Sequence, residues 1–180
     1  MFPKKILLKN NKNLTIREAV PKDAPQLIEY LENVFSQTDF LTRGPGEFNM
    51  SIEDEEKFIK NLSEEANKIF LVALIDKKIV SVLTFLGGDK IREKHVGEFG
   101  ITVEKEFWGL GIASLMLTSL INWAKNTKII RKLNLLVLAS NEKAIYLYKK
   151  FGFEIEGTHT RDILINNEFQ DAHFMGLKID

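Results

Sequence analysis

Gly109 and Gly111, in the run Trp108-Gly109-Leu110-Gly111-Ile112-Ala113, are the residues whose spacing best suits an anion. An apolar run follows them, with Leu115, Met116, Leu120, Ile121 and Ala124 recurring at three- and four-residue steps, the pattern of an amphipathic helix. The first amides of a helix have no intrahelical partner, and the helix dipole adds partial positive charge there. Glycines without Cβ let a phosphate come close enough for those amides to hold it without a basic side chain. The same pair would also serve a plain strand-to-helix turn, because short glycine motifs match often. Two familiar phosphate loops are excluded. The chain has no G-x-x-x-x-G-K-[ST], and its G-x-G-x-x-S is not followed about twenty positions on by an acidic residue to hold a ribose.

Asn141 and Tyr148 form the second constellation. Seven residues apart on one predicted helix, they complete almost two turns, so their side chains share a face about 10 Å apart along the axis. Each has a plainer reading: Asn141 as a helix N-cap, Tyr148 as core in the stripe Ala144, Leu147, Tyr148, Phe151. Glu98 is the one carboxylate inside the strand that enters the glycine turn, where it serves either as a proton acceptor or as a solvent-facing strand residue. That strand, residues 95–103, alternates Phe99, Ile101 and Val103 on one face.

Taken together, these stretches resemble the GNAT acetyltransferase superfamily, whose members move an acetyl group from acetyl-CoA to an amine. The family's pyrophosphate turn, [QR]-x-x-G-x-[GA], is matched at Gly111 and Ala113 and departs at Trp108, where Gln or Arg is usual. The family's next block, an Asn, then Ala, then Tyr-x-x-x-Gly-Phe, is matched at Asn141, Ala144, Tyr148, Gly152 and Phe153. Two blocks in the right order are far more specific than either alone. The opening Thr15-Ile16-Arg17-Glu18-Ala19 and the end of the chain are also similar to the family, so the resemblance covers most of the chain.

The resemblance implies a single-domain α+β fold over residues 1–180, core about 14–179, with a mixed, mostly antiparallel sheet flanked by helices. It implies acetyl-CoA as co-substrate, with Trp108, Gly109, Leu110, Gly111, Ile112 and Ala113 around the pyrophosphate. Ile101 and Val103 would bond the pantetheine arm through their backbone, and Asn141 and Tyr148 would lie along it. Tyr148 would protonate the departing thiolate, which suits a phenol near pKa 10. An alkyl amine arrives mostly protonated at neutral pH, so a carboxylate such as Glu98, or a water on its strand, would accept a proton.

Composition sets the outer bounds. The 180 residues are 44% apolar, enough for one domain with a sizeable core. Net charge is zero, so no overall field draws in nucleic acid or an anionic membrane. Lys125, Lys128, Arg131 and Lys132 form the densest basic cluster, at the end of the long helix, where cations favour the helix C-terminus. The absence of cysteine removes disulfides, thiolate metal sites and a cysteine acyl-enzyme. His95, His159 and His173 share no ligand-like spacing, so no metal is expected. The first residues are too short an apolar run for a signal peptide, and no run of 18 apolar residues would span a membrane. The expected location is cytoplasmic, and a homodimer is left open.

The remaining elements follow in order. Residues 14–19 read as the first strand after a Lys/Asn-rich leader. Asp23 reads as N-cap of a helix that turns Ala24, Leu27, Ile28, Leu31, Val34 and Phe35 to one face. Residues 37–50 form a long aromatic loop with a forced Gly44-Pro45-Gly46 turn. It is expected to border the acceptor pocket, with Phe40 and Phe48 as apolar walls and Glu47 attracting a cationic amine; a lid that only packs on the core is the alternative. Ser51 is expected to cap a helix with acidic residues at positions 53–56. Strands are expected over 69–75, 79–86, 133–138, 153–165 and 169–179, with turns at Asp76-Lys77-Lys78 and Asn166-Asn167. The functional expectation is direct N-acetyl transfer to a primary amine of a small molecule or peptide. A CoA-binding sensor or idle GNAT-like domain is the rival, and a longer-chain acyltransferase the third reading.

Overall fold

The computed structural model describes residues 2–180. Eight strands form one sheet in the order β1-β2-β3-β4-β5-β6-β8-β7. They are β1 Lys4–Leu7, β2 Asn13–Glu18, β3 Lys68–Ile75, β4 Lys78–Gly87, β5 Val96–Val103, β6 Lys132–Leu138, β7 Glu154–Ile165 and β8 Glu168–Lys178. The helices are α1 Ala24–Phe35, α2 Ile52–Ser63, α3 Ile112–Thr127 and α4 Glu142–Lys150. Every neighbouring pair is antiparallel except β5 and β6, which run parallel. This is the expected mixed α+β sheet. Among the described residues no helix is long and apolar enough to cross a membrane.

Period-two alternation places a core on each face of the sheet. Leu71 and Ala73 of β3 join Phe99, Met116, Leu117, Leu120, Leu135 and Tyr148 on the α3/α4 side. Phe70 and Val72 join Ala24, Leu27, Tyr30, Val34, Ile59 and Leu62 on the α1/α2 side. The turns take the backbone their residues allow: Asp76 and Lys77 have φ of 49° and 69°, and Asn166 and Asn167 have 50° and 63°.

Three local expectations need correction. The Lys/Asn-rich leader contains a strand, β1, whose Lys4–Leu7 pairs antiparallel with Asn13–Ile16 at the sheet edge. Asp23 stands at the N-cap position of α1 without capping it through its side chain. Its carboxylate accepts instead from the Val20 amide at 2.9 Å and from both guanidinium nitrogens of Arg17 at 2.7 and 2.8 Å, because a short 3-10 turn, Pro21–Asp23, precedes the helix. On α1, Tyr30 joins the buried face with Ala24, Leu27 and Val34, while Ile28, Leu31 and Phe35 are half-buried.

Ser51 caps α2 as expected, accepting the Asp54 amide at 3.1 Å. Of the acidic first turn, Glu55 is not solvated: it is 2% exposed, its amide donates to the Ser51 carbonyl at 3.0 Å, and its carboxylate makes no hydrogen bond among the described residues. Burial raises its carboxyl pKa, with the Arg43 charge acting the other way. A raised carboxyl pKa means that the folded chain holds this proton more tightly than the unfolded one. Stability is therefore lost as pH rises from about 4, where an unfolded glutamate ionises, through the folded pKa. Glu55→Gln should raise Tm at pH 7 by about 2–4 °C, the shift that about 1 kcal/mol produces in a chain of this size. The gain should vanish below pH 4; equal gains at both pH values in thermal melts would contradict a charge origin.

Candidate active site: an opened strand pair, a glycine turn and a buried tyrosine

The site begins where β5 and β6 part. Their register runs Val96↔Lys132, Gly97↔Leu133, Glu98↔Asn134 and stops there, although β5 continues to Val103 and β6 to Leu138. The Glu104 amide bonds the Val80 carbonyl at 2.9 Å, and Ser81 Oγ donates to the Thr102 carbonyl at 2.7 Å. Even-numbered residues of β5 thus turn their backbone groups to β4, so Phe99, Ile101 and Val103 turn theirs to the opening. Backbone groups that lose their ladder must find water or another partner.

At one end of the opening lies the glycine turn. Lys105–Phe107 forms one 3-10 turn, and Gly109 and Gly111 take φ of +78° and +80°. Their left-handed backbone is the conformation that glycine adopts without a Cβ penalty. A Cβ built on either would meet no protein atom within 4 Å, so the space in front of both is clear. Leu115 is the first residue of α3 whose amide bonds back, to Gly111 O at 3.1 Å. The amides of Ile112, Ala113 and Ser114 therefore sit at the helix N-terminus without intrahelical partners. Clear space in front of unpaired amides fits a pyrophosphate. Leu110 is half-buried and Ile112 fully buried, so both contribute backbone to this surface rather than side chain.

The turn is rooted by residues that sequence reasoning missed. Glu104 is 5% exposed, and its Oε1 accepts from Asn33 Nδ2 at 3.1 Å and Lys78 Nζ at 2.8 Å. Gln37 Oε1 accepts the Lys105 amide at 2.7 Å. Helix α1 and the start of the 37–50 loop are thereby tied to the base of the glycine turn. No local pattern announces these bonds, since their partners are 26 to 71 residues away.

Tyr148 lies at the other end of the opening. It is 8% exposed, with its ring against Phe99 at 6.0 Å and Phe153 at 5.9 Å between centroids. Its hydroxyl makes no hydrogen bond among the described residues, and burial pushes its pKa up to about 12. The contact with Phe99 places the tyrosine beside the first β5 residue past the last paired rung.

Asn141 caps α4, its Oδ1 accepting the Ala144 amide at 3.2 Å. This modifies the expectation that Asn141 and Tyr148 share one helical face: Asn141 precedes the first helical residue, with φ −87° and ψ 66°. Glu98 is exposed at the last paired rung. It shares parity with Thr102, whose Oγ1 meets Tyr30 Oη of α1 at 2.9 Å, so Glu98 points to the α1/α2 face, away from Tyr148.

The 37–50 loop lies on that same α1 side. Phe48 is buried against Phe35 at 5.9 Å, with the Arg43 guanidinium 5.6 Å from its ring. Glu47 Oε2 accepts the Gly44 amide at 2.9 Å, which closes the forced turn. Phe40 is exposed. Phe48 thus anchors the loop, and Phe40 is the aromatic ring left facing outward.

This architecture matches known proteins. Residues 28–153 match the model of the acetyltransferase (GNAT) family. The chain is 39% identical over 105 residues to L-amino acid N-acetyltransferase AaaT of Escherichia coli, a match spanning 58% of this chain and 65% of that protein. It is 26% identical over 165 residues to spermidine N(1)-acetyltransferase of Vibrio cholerae, covering 92% of each. The crystal structure of a GNAT-family acetyltransferase from Streptococcus pneumoniae superposes with a TM-score of 0.89 at 35% identity, over 93% of this chain and 99% of that one. The Salmonella typhimurium protein yncA, solved with its cofactor acetyl-CoA, shares the fold at a TM-score of 0.81 and 17% identity, over 93% of this chain and 95% of that one. The family model covers the glycine turn, the opened strand pair and the tyrosine helix together, and the chain belongs to the GNAT family of acetyltransferases.

Proposed function

We propose that the chain transfers the acetyl group of acetyl-CoA directly to a primary amine, in a complex holding both substrates. The observation that carries this reading is the opening between β5 and β6, which runs from the Phe99–Tyr148 contact to unpaired amides behind two glycines. Bound acetyl-CoA supplies the activated acyl group; the chain's residues supply position and proton management. The Gly109–Ser114 backbone would hold the pyrophosphate, and the β5 edge at Ile101 would receive the arm. Asn141, whose Oδ1 is committed to its cap, offers its amide nitrogen as a donor. Tyr148 would give its hydroxyl proton to the departing sulfur.

The acceptor would enter from the α1/α2 face, to which Glu98 points. Phe40 would wall that approach, Phe48 would fix the loop, and Glu47 would add negative charge attractive to a cationic amine. Relatives named for L-amino acids and for spermidine make small primary amines the acceptor class to test first. A panel of spermidine, free L-amino acids and short peptides should show CoA release with at least one small amine. Binding of acetyl-CoA without release by any amine would favour an idle or sensing domain instead.

Glu98→Gln tests the base. If Glu98 accepts the amine's proton, the variant should lower kcat/KM by about 10²-fold or more and lose the acidic limb of the pH profile. If that limb persists, a water or another residue takes the proton.

A further inference from the structure

Trp108 stands where the family usually carries Gln or Arg, and the structure gives it a specific partner. Its indole Nε1 donates to the Val103 carbonyl at 2.7 Å. That carbonyl belongs to an odd-numbered β5 residue, so it points into the opening beyond the last β5–β6 pair. It is one of the backbone acceptors that a pantetheine amide would otherwise use. The indole remains 46% exposed, and the Lys105 ammonium lies 6.0 Å from its ring centroid. An indole can donate but not accept, and it carries no charge. It therefore cannot repeat what a Gln amide or an Arg guanidinium does at a phosphate. Its N–H is spent on the strand, and the nearby positive charge comes from Lys105.

We propose that Trp108 is a positioning residue for the acyl-CoA arm. By holding the Val103 carbonyl, it closes the turn-side end of the β5 edge. The arm's amides would then pair mainly nearer the tyrosine, at Phe99 and Ile101, with the Val103 N–H as the last donor on that edge. The sequence-based assignment of Val103 as a backbone partner is thereby narrowed to its N–H, while Ile101 keeps both backbone groups. A second effect follows from the same bond. Joining Val103 to Trp108 across five residues fixes the path of the chain into Gly109, so the strand edge and the phosphate amides keep one spacing. This inference rests on the acetyl-CoA reading above.

The test is ligand binding read apart from turnover. Trp123, half-buried against Phe85 at 5.6 Å, is the other tryptophan, so Trp123→Phe leaves Trp108 as the single reporter. In that background acetyl-CoA should change the emission of Trp108. In the otherwise native chain, Trp108→Phe keeps an aromatic side chain, smaller than the indole, and removes the N–H. Calorimetry should then show Kd weakened about 3- to 10-fold for acetyl-CoA and by a similar factor for S-acetylpantetheine, which has no pyrophosphate. Unchanged Kd values in a variant with native melting would overturn the proposal. So would a loss confined to acetyl-CoA, because it would place Trp108 at the phosphates rather than at the strand end. If the native chain binds no acetyl-CoA, the functional reading itself fails, which is a separate outcome.

Discussion

Tyr148→Phe should lower kcat by about 10- to 1,000-fold while leaving acetyl-CoA affinity within a few-fold. The variant is clean for a structural reason. The hydroxyl has no hydrogen-bond partner to orphan among the described residues, and the ring's contacts with Phe99 and Phe153 survive the change. Removing an unpaired buried hydroxyl costs the fold little, so lost turnover would report the proton and not the packing. The raised pKa adds a sign. With the phenol pushed up to about 12, Tyr148 stays protonated at every working pH. No basic limb in kcat below about pH 10 should come from it. Its high pKa ensures that a proton is present but weakens the drive to release it. If Tyr148 is the donor, the transfer would have to occur as the sulfur gains charge. Normal turnover by a folded Tyr148→Phe protein would return this residue to a packing role alone.

Gly111→Glu should abolish acetyl-CoA binding, with a loss of at least about 100-fold. The residue sits at φ +80°, one position before α3, facing clear space and the unpaired amides. A glutamate there brings a carboxylate to the helix N-terminus, where it competes for the amides that the pyrophosphate would use. Gly111→Ala is the control. Its Cβ meets no protein atom, so its stability cost should be only the left-handed backbone penalty of about 1–2 kcal/mol. Binding should fall less than for the glutamate. Calorimetry and thermal melts on both variants separate the two effects. Unchanged affinity in folded Gly111→Glu would remove the phosphate role from this turn.

Local patterns carried much of this arrangement. Alternation at Phe99, Ile101 and Val103, the glycine pair, and the helical steps from Leu115 to Ala124 are short-range signals, and each element formed where they indicated. Strand β1 escaped because Lys4-Lys5-Ile6-Leu7 offers too little alternation; it is held by pairing with β2 and by packing of Ile6 against the main core. What makes the site is less local. No pattern states that β5 and β6 stop pairing after Glu98 and Asn134, because register depends on strands far apart in the chain. Glu104 carries no local signal, yet it is buried and held by Asn33 and Lys78. Glu47 and Phe48 were legible as loop residues, but not that one closes its own turn while the other anchors the loop on Phe35. The indole bond of Trp108 to Val103 was equally hidden, although the departure from the family's usual residue marked the position.

The central claim is direct transfer, and intact-mass analysis combined with initial rates tests it most directly. The protein is mixed with acetyl-CoA alone, then with acetyl-CoA and the best acceptor from the amine panel. Direct transfer predicts no acetylated protein in the first mixture. In the second it predicts acetylated amine and CoA in equal amounts, with intersecting double-reciprocal rate patterns. Acetylated protein forming without amine, together with parallel rate patterns, would contradict it.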